Sequence, residues 1–205
     1  MYKLAVFVSG RGSNLLSIAS KIESKYLNAE ISLIISNNKD CKAIEYAKSR
    51  NIKNFIISKS NDEANFISYA ELINLLVQSK IDLIVLAGFL KKIPNDLINE
   101  FKNKIINIHP ALLPSFGGTG MYGSNVHEAV FKSSAKVSGA TVHFVDEIYD
   151  NGFIIHQRAV DILDVKSPAE IAERVLKIEH ELLPEVIKKF VERKVKIFEN
   201  RVFID

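Results

Sequence analysis

Short apolar runs alternate along this chain with stretches in which apolar residues recur every three or four positions. Runs of strand length occupy Leu4–Val8, Ile31–Ile35, Asn54–Ile57, Ile81–Ala87 and Ile105–Ile108. Between them, Asn14–Tyr26, Cys41–Arg50, Asp62–Ser79 and Pro94–Lys102 carry the helical spacing. Strand and helix in alternation predict an α/β fold, a Rossmann-like, mostly parallel sheet with helices on both faces. The pattern then changes. Val137–Val145 and Phe153–Ile162 read as extended strands joined by a short acidic loop, which predicts antiparallel strands added in the C-terminal part.

A long helix is predicted from Ser167-Pro168-Ala169-Glu170, where Ser fits the N-cap, Pro the first helical position, and Glu the partner of a capping box. It runs to about Lys194, and Pro184 inside it should kink or divide it. Val195–Ile204, with Asn200 near its centre, reads as a terminal hairpin. A length of 205 residues suits a single domain, 1–205.

One polar pair breaks the apolar pattern. Asn107 and His109 share a face of Ile105-Ile106-Asn107-Ile108-His109-Pro110, a segment that otherwise reads as buried strand. Burying both side chains without partners would cost ~1–3 kcal/mol each. Folding alone gives little reason for that, whereas an amide that donates to an oxyanion and a protonated imidazole that donates a proton give a chemical one. The alternative is a pair of satisfied core residues. Ligands of open α/β sheets collect outside the carboxyl ends of strands, where this pair falls.

Ser9-Gly10-Arg11-Gly12-Ser13-Asn14 follows the first predicted strand and opens the first helix, a place where free backbone N–H groups bind anions. Position 15 is Leu, so the third glycine of a dinucleotide site is missing, and no Gly-Lys-Ser/Thr marks a triphosphate loop. A phosphate monoester fits better. A plain turn with Ser13 or Asn14 capping the helix is the competing reading. Asp146, Glu147 and Asp150 share the loop before Gly152, and a carboxylate from it beside His109 would raise that pKa and keep the ring cationic. His127, His143, His156 and His180 lack metal-ligand spacing and are read as structural or surface residues, so no metal is expected. Gly117–Gly123 is too glycine-rich for a packed element. It reads as a loop that either covers a ligand or lies on the surface.

Composition narrows the setting. Hydrophobic residues make up 47% and charged residues 25%, as in soluble globular proteins, and no apolar segment is long enough to span a bilayer. The single cysteine, Cys41, excludes an intramolecular disulfide framework and fits a cytoplasmic setting. The net charge of +3 comes from dispersed lysines, which does not suggest a nucleic-acid groove.

Four segments together resemble the glycinamide ribonucleotide formyltransferases, a folate-dependent formyltransferase family. They are Ser9-Gly10-x-Gly12-Ser13-Asn14, Leu86-Ala87-Gly88-Phe89, Asn107-Ile108-His109-Pro110-Ala111-Leu112-Leu113-Pro114, and Gly139–Val145 continuing to Asp150-Asn151-Gly152. The resemblance implies a cytoplasmic enzyme of purine biosynthesis, monomeric or homodimeric, that moves a formyl group from 10-formyltetrahydrofolate to the amine of glycinamide ribonucleotide. It implies catalytic roles for Asn107, His109 and Asp150. Gly12, Ser13 and Asn14 would hold the phosphate, and Glu179 would meet the amine. Leu90, Lys91, Lys92, Ile93 and Asn107 would line the folate site, with the loop up to Asp150 closing over the pterin. Leu113-Pro114 matches a position that looks like a cis peptide in the family.

Three stretches depart from the common family pattern: Leu90-Lys91-Lys92-Ile93-Pro94, Asn65 where an Arg is frequent, and Gly117–Gly123 in place of a Pro-Gly form. A formyltetrahydrofolate hydrolase and a methionyl-tRNA formyltransferase share the Asn-x-His-Pro segment. They usually carry a further domain, for which this chain has no room. A non-catalytic nucleotide-binding module remains the reading from another class.

Overall fold

Five strands and four helices alternate through the first half of the computed structural model, which describes residues 1–58 and 65–205. Strands β1 (Tyr2–Val8), β2 (Ala29–Ser36), β3 (Lys53–Ile57), β4 (Phe66–Ile67) and β5 (Leu83–Leu86) alternate with helices α1 (Ser13–Glu23), α2 (Lys42–Ser49), α3 (Tyr69–Gln78) and α4 (Asn95–Glu100). The strand order is β4-β3-β2-β1-β5, and the pairs β1/β2, β1/β5, β2/β3 and β3/β4 are all parallel. These belong to a first compact unit, Met1–Ile106. Leu4 to Val8 are fully buried, as expected of a central parallel strand covered on both faces. Phe7 meets Phe89 edge to face at 5.4 Å.

The second unit, Asn107–Asp205, has a different pattern. Strand β6 (Ile105–His109) carries the chain into it. Helix α5 (Ser124–Lys132), strands β7 (Val137–Phe144) and β8 (Ile154–Asp161), helix α6 (Pro168–Val191) and strands β9 (Val195–Phe198) and β10 (Arg201–Ile204) follow. β7 lies between β6 and β8 and runs antiparallel to β8, while β9 and β10 form a separate hairpin. The mostly parallel α/β fold with antiparallel strands late in the chain is therefore present. α6 packs on β7 and β8, with Phe144 against Phe190 at 5.8 Å. No helix among the described residues is long and apolar enough to cross a membrane.

Four details differ from the sequence reading. The helix expected over Asp62–Ser79 starts only at Tyr69, because a full capping box between Ser68 and Glu71 fixes its first turn. Asn65 forms a turn and Phe66–Ile67 pair with Ile56–Ile57, while Asp62–Ala64 lie outside the described residues. Pro184 does not divide α6, which runs unbroken for 24 residues. Leu182, Leu183, Pro184, Val186 and Ile187 are all buried there, and several such side chains at ~1.5–3 kcal/mol each outweigh the ~3 kcal/mol a mid-helix proline costs. At the start of α6 the Ser167 hydroxyl accepts the Glu170 amide, but the Glu170 carboxylate reaches back to the Lys166 amide rather than that of Ser167. Finally, α5 has no counterpart in the predicted elements.

Candidate active site

The polar pair lies at the end of β6, and its partners come from the loop before α5, from β7 itself and from the loop after β7. His109 is 3% exposed. Its Nε2 is 2.8 Å from the carbonyl of Phe116, and its Nδ1 is 3.5 Å from Asp150 Oδ2. A carbonyl can only accept, so Nε2 carries the hydrogen in the neutral ring and Nδ1 then turns a lone pair to the carboxylate. A second proton would satisfy both neighbours.

Asp150 reaches His109 from a backbone conformation that few side chains adopt, with φ at +55°. Two glycines make its position possible. A Cβ on Gly152 would lie 1.9 Å from the carbonyl oxygen of Phe144, and one on Gly117 would lie 2.5 Å from Leu113 Cδ2 and 3.2 Å from Asp150 Cβ. The amide of Gly118 donates to Asp150 Oδ2 at 2.9 Å. The Gly117–Gly123 segment is thus a series of turns, held further by the Met121 amide on the Gly118 carbonyl and the Asn125 side chain on Gly120.

The structure adds a residue that the sequence reading did not place in the site. His143, on β7 and 2% exposed, lies with Nε2 3.6 Å from Asp150 Oδ1 and 3.1 Å from Asn107 Nδ2. Its Nδ1 is 2.7 Å from the Phe144 carbonyl and so carries the hydrogen, leaving Nε2 of the neutral ring to accept from the Asn107 amide. Two residues back, Thr141 shares its strand face and ties down the chain beyond His109, donating to the Ala111 carbonyl at 2.6 Å and accepting from the Leu113 amide at 3.1 Å. The alternation Thr141-x-His143 in an apolar strand was the available signal. It repeats that of Asn107-x-His109. The Leu113–Pro114 peptide in this stretch is cis.

Electrostatics correct one expectation. Burial lowers the pKa of His109 below its ordinary 6.5, and it prevails over the upward pull of Asp150 and of the Phe116 carbonyl, with His143 lowering it further. The carboxylate neighbour therefore does not raise His109 above its ordinary value, contrary to the expectation from the acidic loop. Asp150 moves down as well. Burial pushes its carboxyl up, but the contact with His143, the charge on His109 and the Gly118 amide outweigh that and leave it below the ordinary 3.8. The result is an ionised carboxylate beside two imidazoles.

The family model described as formyl transferase matches residues 2–187. The chain belongs to the formyl transferase family. It is 44% identical over 201 residues to the chloroplastic phosphoribosylglycinamide formyltransferase of Arabidopsis thaliana, covering 98% of this chain and 69% of that protein. It is 36% identical over 191 residues to the phosphoribosylglycinamide formyltransferase of Bacillus subtilis, covering 93% and 95% respectively. The crystal structure of the phosphoribosylglycinamide formyltransferase from Anaplasma phagocytophilum superposes with a TM-score of 0.87 at 32% identity, over 98% of this chain and 92% of that one.

Within this formyl transferase fold the other sequence-selected residues fall in both units. In the first unit, Gly12 caps α1 in a left-handed conformation (φ +75°) without any side-chain cap bond, and a Cβ there would meet Ala43 Cβ at 3.1 Å. Asn14 is buried and Ser13 half-buried. After β5, Leu90, Lys91 and Lys92 are exposed, whereas Ile93 is buried. In the second unit, Glu179 is a buried carboxylate on α6.

Proposed function

We propose that this protein transfers a formyl group from 10-formyltetrahydrofolate to the amine of glycinamide ribonucleotide, giving formylglycinamide ribonucleotide and tetrahydrofolate. The observation that carries the reading is Asp150, whose two carboxylate oxygens face His109 and His143 at 3.5 and 3.6 Å. A proton-handling cluster on this scale fits a reaction in which a proton must travel from an attacking amine to a leaving nitrogen.

In the proposed sequence the amine nitrogen bonds to the formyl carbon and negative charge gathers on the formyl oxygen. Asn107 donates to that oxygen. Developing negative charge also favours the second proton on His109, whose ring already has acceptors on both sides. His109 thus takes the proton the amine loses and delivers it to the folate nitrogen as the bond from carbon to that nitrogen breaks. Ionised Asp150 steadies the transient imidazolium. For binding, the Gly12–Asn14 turn is assigned the phosphate, supported by an α1 start with no side-chain cap and no acidic residue in its first turn. Leu90–Ile93 are assigned to the folate, and Glu179 to the amine.

The test is to supply 10-formyltetrahydrofolate with and without glycinamide ribonucleotide and to follow tetrahydrofolate, formate and the formylated product. Transfer that requires the ribonucleotide is expected. Formate without the acceptor would make the protein a hydrolase, and no turnover at all would leave only a binding module.

A further inference from the structure

Ser9 lies at the carboxyl end of β1, the strand between β2 and β5, and bonds to segments leaving both neighbours. Its amide donates to the carbonyl of Gly88 at 3.1 Å. Its hydroxyl donates to Asn37 Oδ1 at 2.5 Å and accepts from the amide of Leu90 at 2.8 Å. The hydroxyl's proton and one of its lone pairs are thus committed to two different loops. Ser9 also begins the turn that leads through Gly12 into α1.

We infer that Ser9 is a positioning residue that fixes the Leu90–Ile93 segment against the Gly12–Asn14 turn, so that filling one binding site favours filling the other. This rests on the proposed assignment of the turn to the ribonucleotide phosphate and of the segment to the folate. Leu90 is 53% exposed, so its apolar side chain does little to anchor the loop, and the bond from its amide to Ser9 is the anchor. Without the hydroxyl the amide turns to water, and the segment keeps buried Phe89 and Ile93 and the Tyr69 hydroxyl on the Lys92 carbonyl but loses its side-chain tie to the turn. A ligand that orders the turn then no longer orders the segment.

Steady-state kinetics and binding on the intact protein test this. Ser9→Ala should raise KM for both substrates about fivefold, the usual worth of one hydrogen bond, with kcat within about twofold. Ser9→Thr, which keeps the hydroxyl, should restore both. Titration of glycinamide ribonucleotide with and without saturating tetrahydrofolate should show mutual strengthening in the wild type and none in Ser9→Ala. Hydrogen exchange at the Leu90 amide, which reports the bond without reference to activity, should accelerate in Ser9→Ala. If that variant folds poorly, Asn37→Ala, which removes only the hydroxyl's acceptor, should move KM and linkage the same way by a smaller factor. Unchanged KM values and unchanged linkage in a transferring enzyme would overturn the inference alone. A wild type that transfers nothing would remove the functional reading, and the inference with it.

Discussion

Asp150 Oδ2 lies 3.5 Å from Nδ1 of His109, although the two residues are far apart in sequence. Replacing Asp150 with Asn keeps the size and a side chain that tolerates the left-handed backbone, and removes the charge. Turnover of Asp150→Asn should fall ~10²–10⁴-fold, the range for losing acid–base assistance, with much smaller changes in KM. In the same variant the His109 pKa, followed by NMR, should drop below its already lowered wild-type value, since Asp150 pulls it up. A variant that keeps near-normal turnover would remove the proton relay.

Asn107 and His143 act on each other, so their effects should not add. The Asn107 amide has His143 Nε2 as its acceptor, and the same nitrogen lies 3.6 Å from Asp150 Oδ1. In a double-mutant cycle on kcat with Asn107→Ala and His143→Ala, a coupling of about 1–3 kcal/mol is expected. Strict additivity would mean that the two do not form one unit.

Acid should destabilise the protein in two steps. Burial lowers the folded-state pKa of His109, His127 and His180, so the unfolded chain binds protons first as pH falls below the ordinary 6.5, and stability declines from there. Asp150 is also lowered, so its contribution is complete above the ordinary 3.8 and is lost as pH falls through the folded value beneath it. Denaturant midpoints measured from pH 8 to pH 3 should show the first decline, and His109→Gln should reduce it. A flat profile between pH 7 and pH 5 would contradict the burial argument.

Gly152 is expected to accept no side chain. With a Cβ 1.9 Å from the Phe144 carbonyl oxygen, Gly152→Ala must move backbone, at about 3 kcal/mol read from denaturant midpoints. Activity should fall further than stability explains, because the displaced turn also carries Asp150. Gly10→Ala, which meets nothing within 4 Å, is the control.

The sequence exposes what depends on local pattern. The period of apolar residues marked β1, β2, β3, β5 and β6 within a few residues, and the antiparallel pair β7 and β8 likewise. Asn107-x-His109 stood out because two polar side chains on one face of a buried strand are costly. Helix α5 escaped because its short buried face of Val126, His127 and Val130 includes a polar residue and follows a glycine-rich stretch. The direction of the His109 pKa shift was not legible either. It depends on how deeply the ring is buried, and spacing along the chain does not report depth. His143 was passed over because the histidines were weighed by metal-ligand spacing, whereas its contact with Asp150 depends on tertiary placement.

The loop before α5 meets His109 and Asp150 through main-chain groups, the carbonyl of Phe116 on His109 and the amide of Gly118 on Asp150. Those groups are the same for nearly every amino acid, so the loop's composition can drift while its contacts persist. Glycine is demanded there by backbone conformation, since Gly118, Gly120 and Gly123 lie at φ +92°, +86° and +57°, whereas a Cβ on Gly117 would meet the flexible end of Leu113 at 2.5 Å and Asp150 Cβ at 3.2 Å. The loop's freedom to vary therefore lies at the positions between its glycines. Saturation mutagenesis of this loop should yield intolerance at Gly118, Gly120 and Gly123, with Thr119, Met121 and Tyr122 permissive.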